Sequence, residues 1–196
     1  EFEHLDDRVL DVLAAPPFLP HLHLPLQTGS DVLLGAMRRR YRAADYRERI
    51  AAARARMADV AVTADVIAGL PGETEADHEA TLRLVEAVGL ARLHVFPYSP
   101  RPGTRTAGDD TDAATKRRRA GELRACSDVL AGAHRARLVG TSDEVLIEEA
   151  AGLGLGRDGT PWRVRGVEGR IGEIVAVRAE ALDADMRVAG ALRVSS

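Results

Sequence analysis

Cysteine is almost missing from this chain of 196 residues, Cys126 being the single example. That excludes an internal disulfide framework and any metal site made of cysteines alone within the chain. Lysine is as scarce: Lys116 is the one lysine among 27 basic residues, and all the others are arginine. No apolar run approaches the roughly 18 residues needed to cross a bilayer, and no signal-peptide pattern opens the sequence. A net charge of −3 carries no global nucleic-acid signature. At 45% hydrophobic residues the chain can bury a real core and hold one or two domains. The expectation is a soluble, cytoplasmic α/β protein with no membrane and no DNA partner. The chain starts at Glu1 rather than Met and within a helical pattern, so it is expected to be the C-terminal part of something longer.

What is present alternates in period. Leu5 to Ala15 has helical spacing and stops at Pro16-Pro17. A strand is predicted from about Leu19 to Leu26, then short helices over 31–40 and 43–57. Residues 60–68 (VAVTADVIA) are β-branched and almost continuously apolar, the pattern of a strand buried on both faces. A helix opening at Glu73-Thr74-Glu75 runs to Val88, with acids where the dipole favours them and Gly89 as its stop. A third strand (93–98), a loop rich in Pro and Gly (99–110) and a long helix (about 112–138) complete this half. The order argues for parallel strands with crossover helices. Three strands cannot close a barrel, and an open sheet leaves exposed edges, which supports the expectation of a missing N-terminal half. After Gly140, short alternating segments at 145–147, 162–165, 173–177 and 187–192 are separated by Gly-rich turns, as in a small antiparallel barrel. The domain expectation is 1–138 and 139–196.

The polar groups concentrate where predicted strands end. His21-Leu22-His23-Leu24-Pro25-Leu26-Gln27-Thr28-Gly29-Ser30-Asp31 reads as a strand, then a helix capped by Ser30 or Asp31. In α/β proteins ligands sit at such places. His21 and His23 share a strand face, as two metal ligands would with His94 as a third; the alternative is hydrogen bonding inside a barrel. Gln27 and Ser30 offer polar contacts to a hydroxyl or carboxylate. Gly69-Leu70-Pro71-Gly72-Glu73 brings backbone close to a planar ligand, or is an ordinary strand–turn–helix junction. Tyr98-Ser99-Pro100-Arg101-Pro102 makes a stiff loop. Two arginine clusters, Arg38 to Arg56 and Lys116-Arg117-Arg118-Arg119, invite a phosphate explanation or are solvated helix faces.

Three strings, HLHLPLQTGSDVLLGAMRRRY, TADVIAGLPGETEADHEATL and HVFPYSPRPGT, resemble the radical S-adenosylmethionine methylthiotransferases in order and spacing, over about Leu5 to Leu192. The resemblance implies an α/β fold: the second half of a radical-SAM partial (β/α) barrel, followed by a small all-β TRAM (OB-like) domain contacting tRNA. The string HVFPYS is most similar to the branch acting on N6-threonylcarbamoyladenosine beside the tRNA anticodon; the isopentenyladenosine branch is the alternative. The implied reaction replaces an adenine C–H by C–SCH3, using S-adenosylmethionine and two [4Fe-4S] clusters, with the tRNA anticodon stem-loop as partner. It places Gln27 and Ser30 at the ribose and methionine side of the cofactor. Gly69, Gly72 and Glu73 would lie near its adenine, with Phe96, Pro97 and Tyr98 lining the same pocket. Arg101, Arg117, Arg118, Trp162, Arg163 and Arg165 are the expected RNA contacts. The family's Cys-x-x-x-Cys-x-x-Cys loop is absent, so no metal ligand and no catalytic residue is expected in this chain. His78 stands where the family commonly has Phe, and Arg105-Thr106 replaces Pro-Ala. A non-catalytic RNA-binding module and a degraded gene fragment are the competing readings.

Overall fold

The computed structural model describes residues 2–100, 108 and 110–192. The chain divides into two compact units, residues 1–18 with 22–130, and residues 19–21 with 131–196.

In the first unit, side-chain caps set the helix starts. Asp6 accepts the Val9 N–H at 2.9 Å to open α1 (Asp7–Leu13). Ser30 accepts the Leu33 N–H at 3.3 Å to open α2 (Asp31–Ala36). α3 spans Ala43–Arg56 and α4 spans Glu75–Val88. Thr74 and Asp77 form a capping box on α4, leaving Glu73 outside the helix. Gly89, at φ 59°, ends α4 in the left-handed conformation expected of it, and Arg54 donates to the Val88 and Gly89 carbonyls.

The sheet is three-stranded, β1 (His21–His23), β2 (Ala61–Ala68) and β3 (Arg92–Pro97), in that order. β2 and β3 are parallel, from Thr63 opposite Arg92 to Ala68 opposite Pro97. β1 is shorter than expected, ending at His23. The chain still follows β2: Leu24 donates to the Thr63 carbonyl (2.8 Å), Leu26 to that of Asp65 (3.1 Å), and Gln27 bridges to Val66. One sheet face packs Leu22, Leu24, Leu26, Val62, Ala64 and Val66 against Tyr46, Ile50, Val85 and Leu123. Each buried leucine or isoleucine contributes about 1.5–3 kcal/mol. The other face carries His21, His23, Thr63, Asp65, His94 and Phe96, all exposed or half-buried. One expectation is corrected here: β2 is not buried on both faces among the described residues.

The long helix α5 (Ala113–Leu138) starts on Asp112, which accepts the Ala114 and Thr115 N–H groups. Its last turns belong to the second unit. There His134 accepts from Arg137 through Nδ1 (3.0 Å), so its Nε2 donates to Asp158 at 2.6 Å. Burial pushes the Asp158 carboxyl up, but the bonds from His134 and Thr160 outweigh it and hold it below the ordinary range.

The second unit is a closed barrel of β4 (Ser142–Ile147), β5 (Leu153–Gly156), β6 (Pro161–Arg165), β7 (Ile174–Leu182) and β8 (Val188–Leu192), ordered β4-β5-β6-β8-β7. β5 was hidden in the sequence because Gly152, Gly154 and Gly156 read as turns. Gly154 is there for close approach: a Cβ would stand 2.1 Å from the Leu146 carbonyl oxygen. Gly156 leaves space for Trp162, whose Nε1 would be 2.6 Å from such a Cβ. Trp162 is fully buried at the barrel centre with Val145, Ile147, Val164 and Val177. That overturns its expected role as an RNA contact: the indole faces the core.

Candidate functional site

The parallel strands bring Gln27, Ala68-Gly69 and Phe96-Pro97-Tyr98 to one end of the sheet. Gln27 sits at φ 71°, a conformation uncommon outside glycine. Backbone bonds hold it there: its N–H donates to the Asp65 carbonyl (2.8 Å) and its carbonyl accepts from Ile67 (2.9 Å). Its half-buried side chain makes no hydrogen bond within the described residues. Behind it, Gly29 packs against α4, where a Cβ would come within 2.6 Å of Thr81 Cα. The Thr81 hydroxyl accepts the Gly29 N–H at 2.8 Å.

Ser30 is committed elsewhere. Its hydroxyl donates to Asp77 (2.5 Å) while accepting the helix-capping N–H of Leu33. Glu73 is likewise turned inward. Its carboxylate accepts the Gly69 N–H (2.7 Å) and pairs with Arg119 (2.9 Å), the two side chains being 2% and 5% exposed. Burial pushes the Glu73 carboxyl up, and the Gly69 bond and Arg119 pull against it without cancelling it. The Gly69-to-Glu73 turn is thus a clamp rather than an open donor set. Gly69, at φ 79°, must be glycine, since a Cβ would fall 2.4 Å from Lys116 Cγ. Gly72 donates its N–H to Asp110 at 3.0 Å.

Phe96 and Pro97 are exposed. Tyr98 donates its N–H to the Ala68 carbonyl, and the Lys116 ammonium lies 5.3 Å from its ring centroid. The Tyr98 hydroxyl is buried without a hydrogen-bond partner among the described residues. Such an orphan, at the end where the strand termini converge, fits a polar ligand atom.

The cationic run at the start of α5 is spent within the first unit. Lys116 and Arg119 are buried, and Arg118 bonds Glu75 (2.7 Å) and Glu122 (2.8 Å). Arg117 is exposed. The bonds from Arg118 and Arg119 hold the Glu75 carboxyl down to about 2. His78 is buried, with Nε2 2.6 Å from Glu122. Glu75, His78 and Glu122 converge closely enough to ligate an ion, but Arg118 already pairs with both carboxylates and Arg119 with Glu75. On the uncovered sheet face, His23 contacts Thr63 through Nδ1 (3.0 Å) and Asp65 through Nε2 (3.3 Å), and meets His94 edge-on.

Of the remaining expected contacts, Arg163 pairs with Asp183 and Asp185, and Arg165 with Glu180, all in the barrel. Arg101 lies outside the described residues. Asp77 and Thr81 were not singled out from the sequence, and Lys116 and Arg119, noted there only as part of a basic cluster, are buried. Lys116, Arg119, Leu123 and Ser127 recur at helical spacing on the buried side of α5, and that periodicity was the available signal.

Residues 3–85, which carry the first two strand ends, match the family model described as the Radical SAM superfamily. That is the class the match defines for this segment. More particular are the relatives. The chain is 39% identical over 188 residues to tRNA-2-methylthio-N(6)-dimethylallyladenosine synthase 1 of Mycobacterium marinum, covering 94% of this chain and 35% of that protein. It is 44% identical over 137 residues to the tRNA-2-methylthio-N(6)-dimethylallyladenosine synthase of Nitrosospira multiformis, 69% of this chain and 29% of that protein. The chain thus spans about a third of the length of these relatives. Among solved structures, coproporphyrinogen III oxidase (HemN) from Escherichia coli aligns with a TM-score of 0.48 at 17% identity, over 91% of this chain and 44% of that one.

Proposed function

We propose that the chain is the C-terminal portion of a radical-SAM tRNA methylthiotransferase acting on N6-dimethylallyladenosine, the isopentenyl-type base, beside the tRNA anticodon. In this reading residues of the first unit complete a radical-SAM barrel and the five-stranded barrel is a TRAM domain, in a cytoplasmic enzyme. The observation that carries it is the 39% identity over 94% of this chain to a dimethylallyladenosine synthase. The same relatives favour the dimethylallyl substrate over the threonylcarbamoyl one suggested by the string HVFPYS.

S-Adenosylmethionine is the cofactor the reading requires, and when bound it supplies radical chemistry at an unactivated C–H bond. Gln27, Gly69, Phe96, Pro97 and Tyr98 fit as its edge, because the strand ends converge there and the Tyr98 hydroxyl has no hydrogen-bond partner among the described residues. Ser30 and Glu73 support that edge through Asp77 and Gly69 rather than by offering free atoms. A [4Fe-4S] cluster does not fit this chain's residues. Cys126 is the single cysteine, and burial with the nearby Glu86 charge pushes its thiol up, away from the thiolate a cluster needs. No step is therefore assigned through a cluster here; its cysteines belong to another part of the whole protein.

The test is nucleoside mass spectrometry of tRNA from cells lacking the gene. Loss of 2-methylthio-N6-dimethylallyladenosine, with the unthiolated nucleoside accumulating, is the expected result. Loss of the threonylcarbamoyl derivative instead would overturn the substrate, and an unchanged nucleoside profile would overturn the activity.

A further inference from the structure

The loop joining α2 to α3 has a pattern that fold stability does not require. From Arg38 to Arg42 exposure alternates: Arg38, Arg40 and Arg42 point to solvent, Arg39 is half-buried and Tyr41 is buried. Tyr41 is the anchor. Its hydroxyl lies 3.1 Å from the Pro25 carbonyl oxygen and 3.2 Å from that of Leu26, the residues just before Gln27. The loop is therefore fastened to the strand end that edges the candidate site.

None of Arg38, Arg39, Arg40 or Arg42 forms an ion pair among the described residues. The nearby carboxylates are turned to the backbone instead: Glu3 accepts the Arg40 N–H, Asp45 that of Arg42 and Asp31 that of Ala43. Two placements also work against the fold. Arg38 is held at φ 58°, and Arg42 puts a cation at the N-terminus of α3, against the helix dipole. A buried anchor presenting an unpaired row of guanidinium groups suits a chain of phosphates.

We infer that Arg38, Arg40 and Arg42 form a phosphate-binding row that holds the RNA backbone while a base occupies the neighbouring strand-end site. The inference rests on the proposed tRNA reading and adds to it a contact surface outside the five-stranded barrel. Backbone contacts of this kind position the RNA and carry no sequence information.

The test is binding of a fluorescein-labelled RNA hairpin to the 196-residue chain as salt is raised, comparing wild type with R38Q/R40Q/R42Q and with R38K/R40K/R42K. Three lost phosphate contacts lower the slope of log K against log salt by about 2–2.7. Between about 50 and 200 mM salt, the wild type then loses about 20- to 40-fold more affinity than the glutamine variant. The lysine variant keeps the wild-type slope. A glutamine variant that folds and shows the wild-type slope overturns the row while leaving the tRNA reading standing. If that variant fails to fold, R40Q alone, at an exposed position, must lower the slope by about 0.7–0.9, and an unchanged slope again overturns the row. A wild-type chain that binds no RNA overturns the row, and the mass-spectrometric test then decides the tRNA reading separately.

Discussion

Replacing Arg119 with methionine isolates the clamp behind the candidate site. Methionine fills much the same volume, so the chief change is loss of the cation that faces Glu73 at 2.9 Å, with both side chains almost fully buried. Glu73 retains the Gly69 N–H, but one neutral hydrogen bond does not stabilise a buried anion, and the carboxyl takes up a proton instead. For a glutamate that titrates near 4.3 when unfolded, forced protonation costs about 1.36 kcal/mol per pH unit above that value. The ceiling is about 3.7 kcal/mol at pH 7 and about 1 kcal/mol at pH 5. The sign follows from the direction: a carboxyl raised on folding destabilises the native state increasingly as pH rises above its unfolded value. With a urea slope of about 2 kcal/mol/M, the unfolding midpoint falls by about 1.8 M at pH 7 and about 0.5 M at pH 5. Far-UV circular dichroism of the chain in urea, at both pH values, measures this. E73Q/R119M should recover most of the loss, because neither partner is then left as a buried lone charge. An equal deficit at both pH values, or a double variant no better than R119M, would refute the reasoning.

Two further outcomes follow from the geometry. Glu75, held down to about 2 chiefly by Arg118, contributes stability that is present above about pH 4.3 and is lost as pH falls toward about 2. The melting temperature of E75Q should therefore lie below that of wild type near neutrality and converge with it in acid; a gap that persists at about pH 2 would contradict the assignment. In the barrel, G154A forces a methyl group against the Leu146 carbonyl and should cost about 3 kcal/mol. Fluorescence of Trp162, the one tryptophan, reports it, and an unshifted barrel transition would show that β5 tolerates the displacement.

Local punctuation made much of the architecture legible. Ser30, Thr74, Asp112 and Gly89 act as caps through hydrogen bonds that reach only three or four residues along the chain, so their chemistry is written beside the helices they bound. The β-branched, almost continuously apolar run 60–68 marks a strand for the same reason, although only alternate residues from Val62 to Ala68 are fully buried. β5 was missed because glycine signals a turn locally, whereas Gly154 and Gly156 answer to Leu146 and Trp162 on neighbouring strands. Trp162 was misjudged on side-chain type, because an indole suits RNA but this one fills the barrel core.

By itself, then, the sequence determined the element order of the first unit, the single-cysteine limit on cluster chemistry and the gathering of Gln27, Gly69 and Tyr98 at strand ends. Those depend on periodicity, composition and short-range hydrogen bonding. The tertiary structure alone decided which polar groups remain available there. Ser30 is taken by Asp77, 47 residues away, Glu73 by Arg119, 46 residues away, and the Tyr98 hydroxyl has no partner among the described residues. Such pairings between distant elements follow from how helices pack on a sheet, and no local pattern encodes them.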